Sequence, residues 1–167
     1  MQRFKVTFSY DGTGFAGFQL QPRQRTVQGE LEAVLTKLHK GTPSKVIGSG
    51  RTDAGVHAKG QVVHFDSEVD MDLSKWVIAF NTNLPADIVI LNVEKADESF
   101  HARYDTTGKE YRYLVHLSSN GDPFVRNYAY QFRYKLNIQA IKDSVNYLIG
   151  THDFTSFCSA NTEMQNM

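Results

Sequence analysis

Only one cysteine, Cys158, stands among 167 residues, so no internal disulfide framework can staple this fold. No apolar run approaches the roughly 20 residues of a membrane span. The N-terminus, Met1-Gln2-Arg3-Phe4-Lys5, passes straight into a strand pattern with no signal-peptide core. A cytoplasmic location without a membrane partner is the expectation. The histidines His39, His57, His64, His101, His116 and His152 show no ligand spacing, and a single cysteine adds little, so no metal site is expected.

Net charge is also lacking: 18 Lys and Arg balance 18 Asp and Glu. A neutral sum argues at first against a nucleic-acid partner. The distribution is uneven, however. Residues 1 to 65 carry nine basic against four acidic side chains, residues 66 to 98 two against eight, and residues 99 to 135 six against three. A basic face with an acidic back is compatible with that pattern.

What is present is a globular chain, 41% apolar, with enough length for one substantial core or two small ones. Phe4, Val6 and Phe8 alternate with polar residues as a half-buried strand does. Gly12-Thr13-Gly14-Phe15-Ala16-Gly17 matches a dinucleotide fingerprint formally, but Gln21 to Arg25 intervenes before any helical period begins. That segment, with Arg23 and Arg25, reads better as a mobile basic loop able to touch phosphate. Val27, Leu31, Val34, Leu35 and Leu38 form a helical stripe, capped by Thr26 and ended by Gly41 and Pro43. A strand runs through Ile47 and another from Gln61 to Phe65. Leu73, Val77, Phe80 and Leu84 mark a second helix, capped by Asp72 or Ser74, and Ile88 to Val93 is an apolar run suited to a central strand.

The resulting β-α-β-β-α-β order is an α+β, ferredoxin-like unit with an antiparallel sheet, placed at residues 1–98. Residues 99–167 read as a connector and an incomplete second α+β half. In it, strand patterns cover Lys109 to Leu117 and Arg126 to Tyr134. A third helical stripe follows at Ile138, Ile141, Val145 and Leu148, closed by Gly150.

Between the second and third strands lies Gly48-Ser49-Gly50-Arg51-Thr52-Asp53-Ala54-Gly55-Val56-His57-Ala58. A hairpin turn needs at most a Gly and an Asn or Asp; this loop has three glycines, an Arg and an Asp. Glycines admit close approach of a ligand. The Asp53 carboxylate can serve as nucleophile, general base or metal ligand. Arg51 can hold Asp53 ionised or bind a phosphate with its planar fork. The plainer alternative is an Asx-turn with Arg51 in solvent.

Residues Gly50 to Ala58 resemble the active-site signature of the tRNA pseudouridine synthase A family. The resemblance extends in order through Tyr10-Asp11-Gly12 with Phe15 and Gln19, Thr26-Val27-Gln28-Gly29, Phe100-His101-Ala102-Arg103, Lys109-Glu110-Tyr111-Arg112-Tyr113 and Gly150-Thr151-His152-Asp153-Phe154. It implies isomerisation of uridine to pseudouridine in the anticodon stem-loop of tRNA, at positions 38 to 40, by a homodimer without a cofactor. It implies Asp53 as nucleophile and Arg51 as its companion. Tyr111 would stack on an extruded base, with Tyr113 packing in the strand, while Arg103 binds phosphate or caps the sheet. The family continues past residue 157 with strands and a helix that complete the second half, so a truncated chain is expected. The alternative from another class is a non-catalytic RNA-binding module, since ferredoxin-like sheets with surface aromatics bind single-stranded RNA by stacking alone. A nucleotide-binding protein using Gly12 to Gly17 is a third reading.

Overall fold

The structure is a computed structural model that describes residues 1–157. The chain forms two compact units, one ending at Arg112 and the other starting at Tyr113. Among the described residues no helix is long and apolar enough to cross a membrane.

The first unit carries β1 (Gln2–Tyr10), α1 (Val27–Leu38), β2 (Ile47–Gly48), β3 (Ala58–Ser67), α2 (Leu73–Asn83) and β4 (Ile88–Ala96). The sheet order is β2-β3-β1-β4 and every neighbouring pair is antiparallel. This is the ferredoxin-like split unit expected from the sequence.

Alternation on β1 buries Phe4, Val6, Phe8 and Tyr10 on one face. Their partners in register, Phe65 opposite Phe4 and Val63 opposite Val6, lie on the same face, because side chains alternate with period two. Val27, Leu31, Val34 and Leu35 of α1 complete the core. Thr26 caps α1 by accepting from the Gly29 N–H at 3.2 Å, which removes one of the orphan donors of the first turn. At the other end, Gly41 N–H reaches the Thr36 carbonyl at 2.8 Å and Lys40 N–H reaches Lys37 at 3.1 Å, a Schellman closure. Lys40 itself takes the left-handed conformation there, with φ of 54°, a position where glycine is usual.

Three sequence expectations need correction. The buried face of α2 is set by Trp76 and Phe80, both 1% exposed or less, while Leu73 lies at the surface. Trp76 packs on Phe4 and Phe65 with ring centroids 5.4 and 5.3 Å away; of the expected stripe, Phe80 and Leu84 are buried and Val77 packs against the core, so Leu73 alone leaves it and Trp76 joins it. Asp72 occupies the N-cap but gives no side-chain cap bond; its carboxylate pairs with Lys75 at 2.9 Å instead. Among the described residues, β4, which holds the apolar run Ile88 to Val93, pairs with β1 alone, at one end of the sheet. A bulge between Thr7 and Phe8 breaks its alternation, so Ile88, Ile90 and Val93 are buried while Val89 and Leu91 face outward.

The back of the sheet is covered locally by the turn from Asp97 to Asp105. Arg3 grips Asp66 with two bonds of 2.8 Å and donates to the carbonyls of Glu98 and Phe100 at 2.6 and 2.9 Å. Beneath the turn, buried His64 accepts from the Ala102 N–H through Nδ1 at 3.1 Å. These bonds tie the Phe100-His101-Ala102-Arg103 segment to the first unit, past residue 98.

The second unit contains β5 (Val115–Leu117), β6 (Tyr130–Phe132) and α3 (Ile138–Val145). The strands are shorter than the alternation suggested, and residues 109–114 belong to none. They pair in parallel, Val115 opposite Tyr130. Turns around Asp122 and Val125 carry the chain back to the start of β5, so the pair is not a hairpin. Tyr113 packs on Tyr130 with ring centroids 6.3 Å apart.

Burial holds the His64 imidazole below its ordinary pKa, with Arg3 and His101 adding to the effect, and burial does the same to His39. In the unfolded chain both titrate near pH ~6.5. The stability they confer as neutral groups is complete above that value and drains as the pH falls through the lower folded values. Denaturant midpoints should therefore decline from pH 7 to pH 5, and His64→Gln should flatten the decline. Identical slopes in parent and variant would contradict this. Asp66, held low chiefly by its hydrogen bonds from Arg3, contributes only to a separate loss, at roughly pH 4 and below.

Candidate active site

The loop between β2 and β3 is built from the backbone outward. Ser49 N–H donates to the Val62 carbonyl at 2.8 Å, prolonging the β2–β3 ladder past its last strand residue. Gln61, nearly buried, receives the Ser49 hydroxyl at 2.7 Å and donates to the Gly50 carbonyl at 3.1 Å. One side-chain amide thus fixes the direction in which the loop departs.

Beyond Gly50 the loop is laid against the segment from Asp11 to Phe18. Phe18 N–H donates to the Thr52 carbonyl at 3.0 Å, and Gly55 N–H to the Phe15 carbonyl at 3.3 Å. The buried Tyr10 hydroxyl lies 2.8 Å from Thr52 Oγ1; burial raises its pKa, so it remains a neutral phenol. Gly12 N–H donates to His57 Nδ1 at 3.1 Å, and Asp11 Oδ1 sits 3.0 Å from the same nitrogen.

Backbone meets backbone so closely here that side chains are excluded. A Cβ on Gly12 would lie 2.0 Å from the Val56 carbonyl oxygen, and one on Gly17, whose φ is +114°, would lie 2.9 Å from the Thr52 oxygen. These glycines form a seat for the loop. The segment opens only a three-residue 3-10 turn, Gly12–Gly14, which removes the nucleotide-binding reading of this motif: the place a pyrophosphate would take against the glycines is filled by the chain itself.

Asp53 lies at the exposed tip of the seated loop. Its carbonyl accepts from Val56 N–H at 3.2 Å, so the turn is closed by backbone and not by the side-chain bond of the alternative Asx-turn reading. Among the described residues no ion pair joins Arg51 to Asp53. Arg51 instead lines a cavity of about 390 Å³ with Arg103 and Lys109, walled by Phe18, Val46, Ile47 and the Gly48–Gly50 backbone. Glycine at 48 is required here too, since a Cβ would meet the Phe18 ring at 2.7 Å.

The other sequence candidates divide. Arg103 reaches this cavity. Tyr111 follows two residues after Lys109 with its ring 79% exposed. Arg23 is exposed, with φ of 61°. Arg25 is not a mobile cation: it forks onto Asp87 at 2.7 and 2.9 Å, bonds Glu30 at 2.8 Å and lies 4.1 Å over the Phe15 ring. The Asp87 bonds raise its pKa further, and its charge is spent inside the fold. His152 bonds the Ile149 carbonyl at 2.8 Å and Asp153 accepts from Thr155, so both make local structural bonds. Among the described residues no three His, Cys, Asp or Glu side chains gather to hold a metal ion.

Sequence reasoning gave no role to Tyr10, Thr52, His57 or Lys109 of this assembly. Lys109 had a signal, its place two residues before Tyr111. The other three were visible only as members of the matching segments.

The family model described as tRNA pseudouridine synthase matches residues 6–105. A tRNA pseudouridine synthase A 1 of Bacillus cereus (strain ATCC 10987 / NRS 248) is 57% identical over 98% of this chain. A tRNA pseudouridine synthase A of Geobacillus sp. (strain WCH70) is 53% identical and one of Listeria monocytogenes serovar 1/2a is 55% identical, again over 98% of the chain. The chain spans 66% of the length of each of these relatives.

The seat predicts a contrast between two glycines three residues or fewer from each other. Gly12→Ala forces the loop off its support and should cost at least about 2 kcal/mol in chemical denaturation. Gly14→Ala meets side-chain ends and no backbone, the Arg25 guanidinium at 3.1 Å and Asp87 Oδ2 at 3.7 Å, and should cost less than that. Equal costs would show that the seat does not bear on stability.

Proposed function

Because the chain belongs to the tRNA pseudouridine synthase family, we propose that it converts uridine to pseudouridine in tRNA, with Asp53 as the nucleophile. The observation that carries this reading is the placement of Asp53: an exposed carboxylate on a loop whose backbone is bonded to the fold on both sides, next to a cavity bearing three cations.

In this reading the uridine leaves the RNA stack, because its C1′ and C6 are inaccessible within it. Asp53 attacks one of those carbons. The glycosidic bond to N1 breaks, uracil turns, and C5 bonds to C1′; the bond to Asp53 breaks and frees the carboxylate, while N1 gains a proton and C5 loses one. No group is added and no oxidation state changes, so the reaction calls for no cofactor. A fixed loop backbone saves the entropy of positioning the nucleophile in each cycle. Tyr111 offers an open ring for the extruded base, and we assign removal of the C5 proton to its neighbourhood. Arg51 holds the target nucleotide's backbone rather than acting through a standing ion pair with Asp53. Arg103 and Arg23 take phosphate; Arg25 serves chiefly to brace the loop on Asp87.

The substrate region we assign is the anticodon stem-loop, at positions 38 to 40, and the working form a cytoplasmic homodimer. Residues 1–98 would carry the nucleophile, and residues 99–167 the stacking tyrosine and part of a second half.

Tritium release from tRNA labelled at C5 of uridine tests the reading. The parent should release tritium, and Asp53→Asn should lose at least about 10³-fold in rate while retaining RNA binding; removing a nucleophile elsewhere has cost up to about 10⁶-fold. RNA binding with no release from either protein would favour the non-catalytic RNA-binding module.

A further inference from the structure

We propose that the cavity beside the Asp53 loop is a subsite for one phosphodiester of the RNA backbone, with Lys109 as a phosphate ligand alongside Arg51 and Arg103. The inference rests on reading the chain as an enzyme acting on RNA and adds where it grips that RNA.

Three cations share this cavity and no acidic side chain lines it. Among the described residues, no carboxylate lies within ion-pair distance of Arg51, Arg103 or Lys109. Other cations, Lys45 and Lys59 among them, also have no ion-pair partner among the described residues, but these three share one cavity and differ from the cations that brace the fold. Arg3 is matched by Asp66, Lys5 by Glu94, and Arg25 by both Glu30 and Asp87. A chain with equal numbers of acids and bases has thus left one cavity without counter-charge. Like charges that share a concave site repel one another, and a bound anion relieves that repulsion.

The floor is suited to close approach. The Lys109 ammonium lies 3.3 Å from where a Gly50 Cβ would stand, so it rests against bare backbone and reaches across the loop. Arginine forks supply paired donors for phosphate oxygens, and the lysine adds a point charge.

Position ties the cavity to the chemistry. Arg51 precedes Asp53 by two residues and Lys109 precedes Tyr111 by two, so each cation's Cα is within about 7 Å of the Cα of its functional neighbour. One phosphate held there fixes the adjoining nucleotide relative to both the nucleophile and the stacking ring. Residue 51 and the nearby pair 103 and 109, distant from it in sequence, meet around a single anion.

Counterion release gives a quantitative test. Affinity of the full chain for an anticodon stem-loop RNA is measured across a salt series. The slope of log K against log salt should shrink by about 0.7 in Lys109→Ala and by the same in Arg103→Ala. Lys75→Ala, on α2, should leave it unchanged, and thermal unfolding of all three should match the parent. Unchanged slopes in both cavity variants would overturn the subsite. If the parent still released tritium from labelled tRNA, the catalytic reading would survive that failure. If the parent showed no salt-dependent RNA binding, both would fall. Saturable binding of inorganic phosphate, lost in the variants while the RNA slopes stayed equal, would assign the cavity to a free anion and also overturn it.

Discussion

The structure depends on how closely one loop's backbone approaches another. Gly12 and Gly17 leave no room for a side chain beneath the carbonyls of Val56 and Thr52, and the hydrogen bonds of Phe18, Gly55, Gly12 and Tyr10 are possible only at that distance. Loops ordinarily carry more motion than the elements they connect. Here the loop bearing Asp53 inherits the rigidity of β1, because Tyr10 ends that strand with its hydroxyl on Thr52. A short chain of contacts links the aromatic core at Phe4 and Phe8 to the tip of the loop.

Charge is arranged around the same loop by subtraction. Acids of the segment from residue 66 to 98 neutralise Arg3, Lys5 and Arg25, all of which then brace the fold: Arg3 holds the turn over His64, and Arg25 ties the segment before α1 to Asp87. On the loop side, Arg51, Arg103 and Lys109 share a cavity that no acidic side chain lines among the described residues. A neutral protein can present a local positive field in this way, since ligand attraction depends on the local distribution more than on the sum.

Much of this was legible in the chain. Helix α1 kept its apolar residues on one face from Val27 to Leu35 and had Thr26 as a cap, so pattern and packing agreed. The four strands and their antiparallel order followed from the same periodicities. In β4 the alternation was hidden because both faces carry apolar residues, Val89 and Leu91 included, and a bulge that interrupts it is decided by the neighbouring strand. In α2 the stripe held at Val77, Phe80 and Leu84, but Trp76, the bulkiest side chain of the helix, took the buried place expected for Leu73. At the site, the Arg-Thr-Asp signature was evident from the sequence. The commitment of Arg25 to Asp87, 62 residues away, and the convergence of residues 51, 103 and 109 are tertiary facts with no local signature.

Native-state amide hydrogen exchange tests the seated loop most directly. The Phe18 and Gly12 amides, bonded to Thr52 and His57, should exchange with opening free energies close to those of β1 amides, because breaking them requires lifting the loop from its glycine seat. Exchange of these two amides as fast as an unbonded loop amide, with β1 still protected, would contradict the account: the loop would then be a loose tether for Asp53 rather than a fixed support.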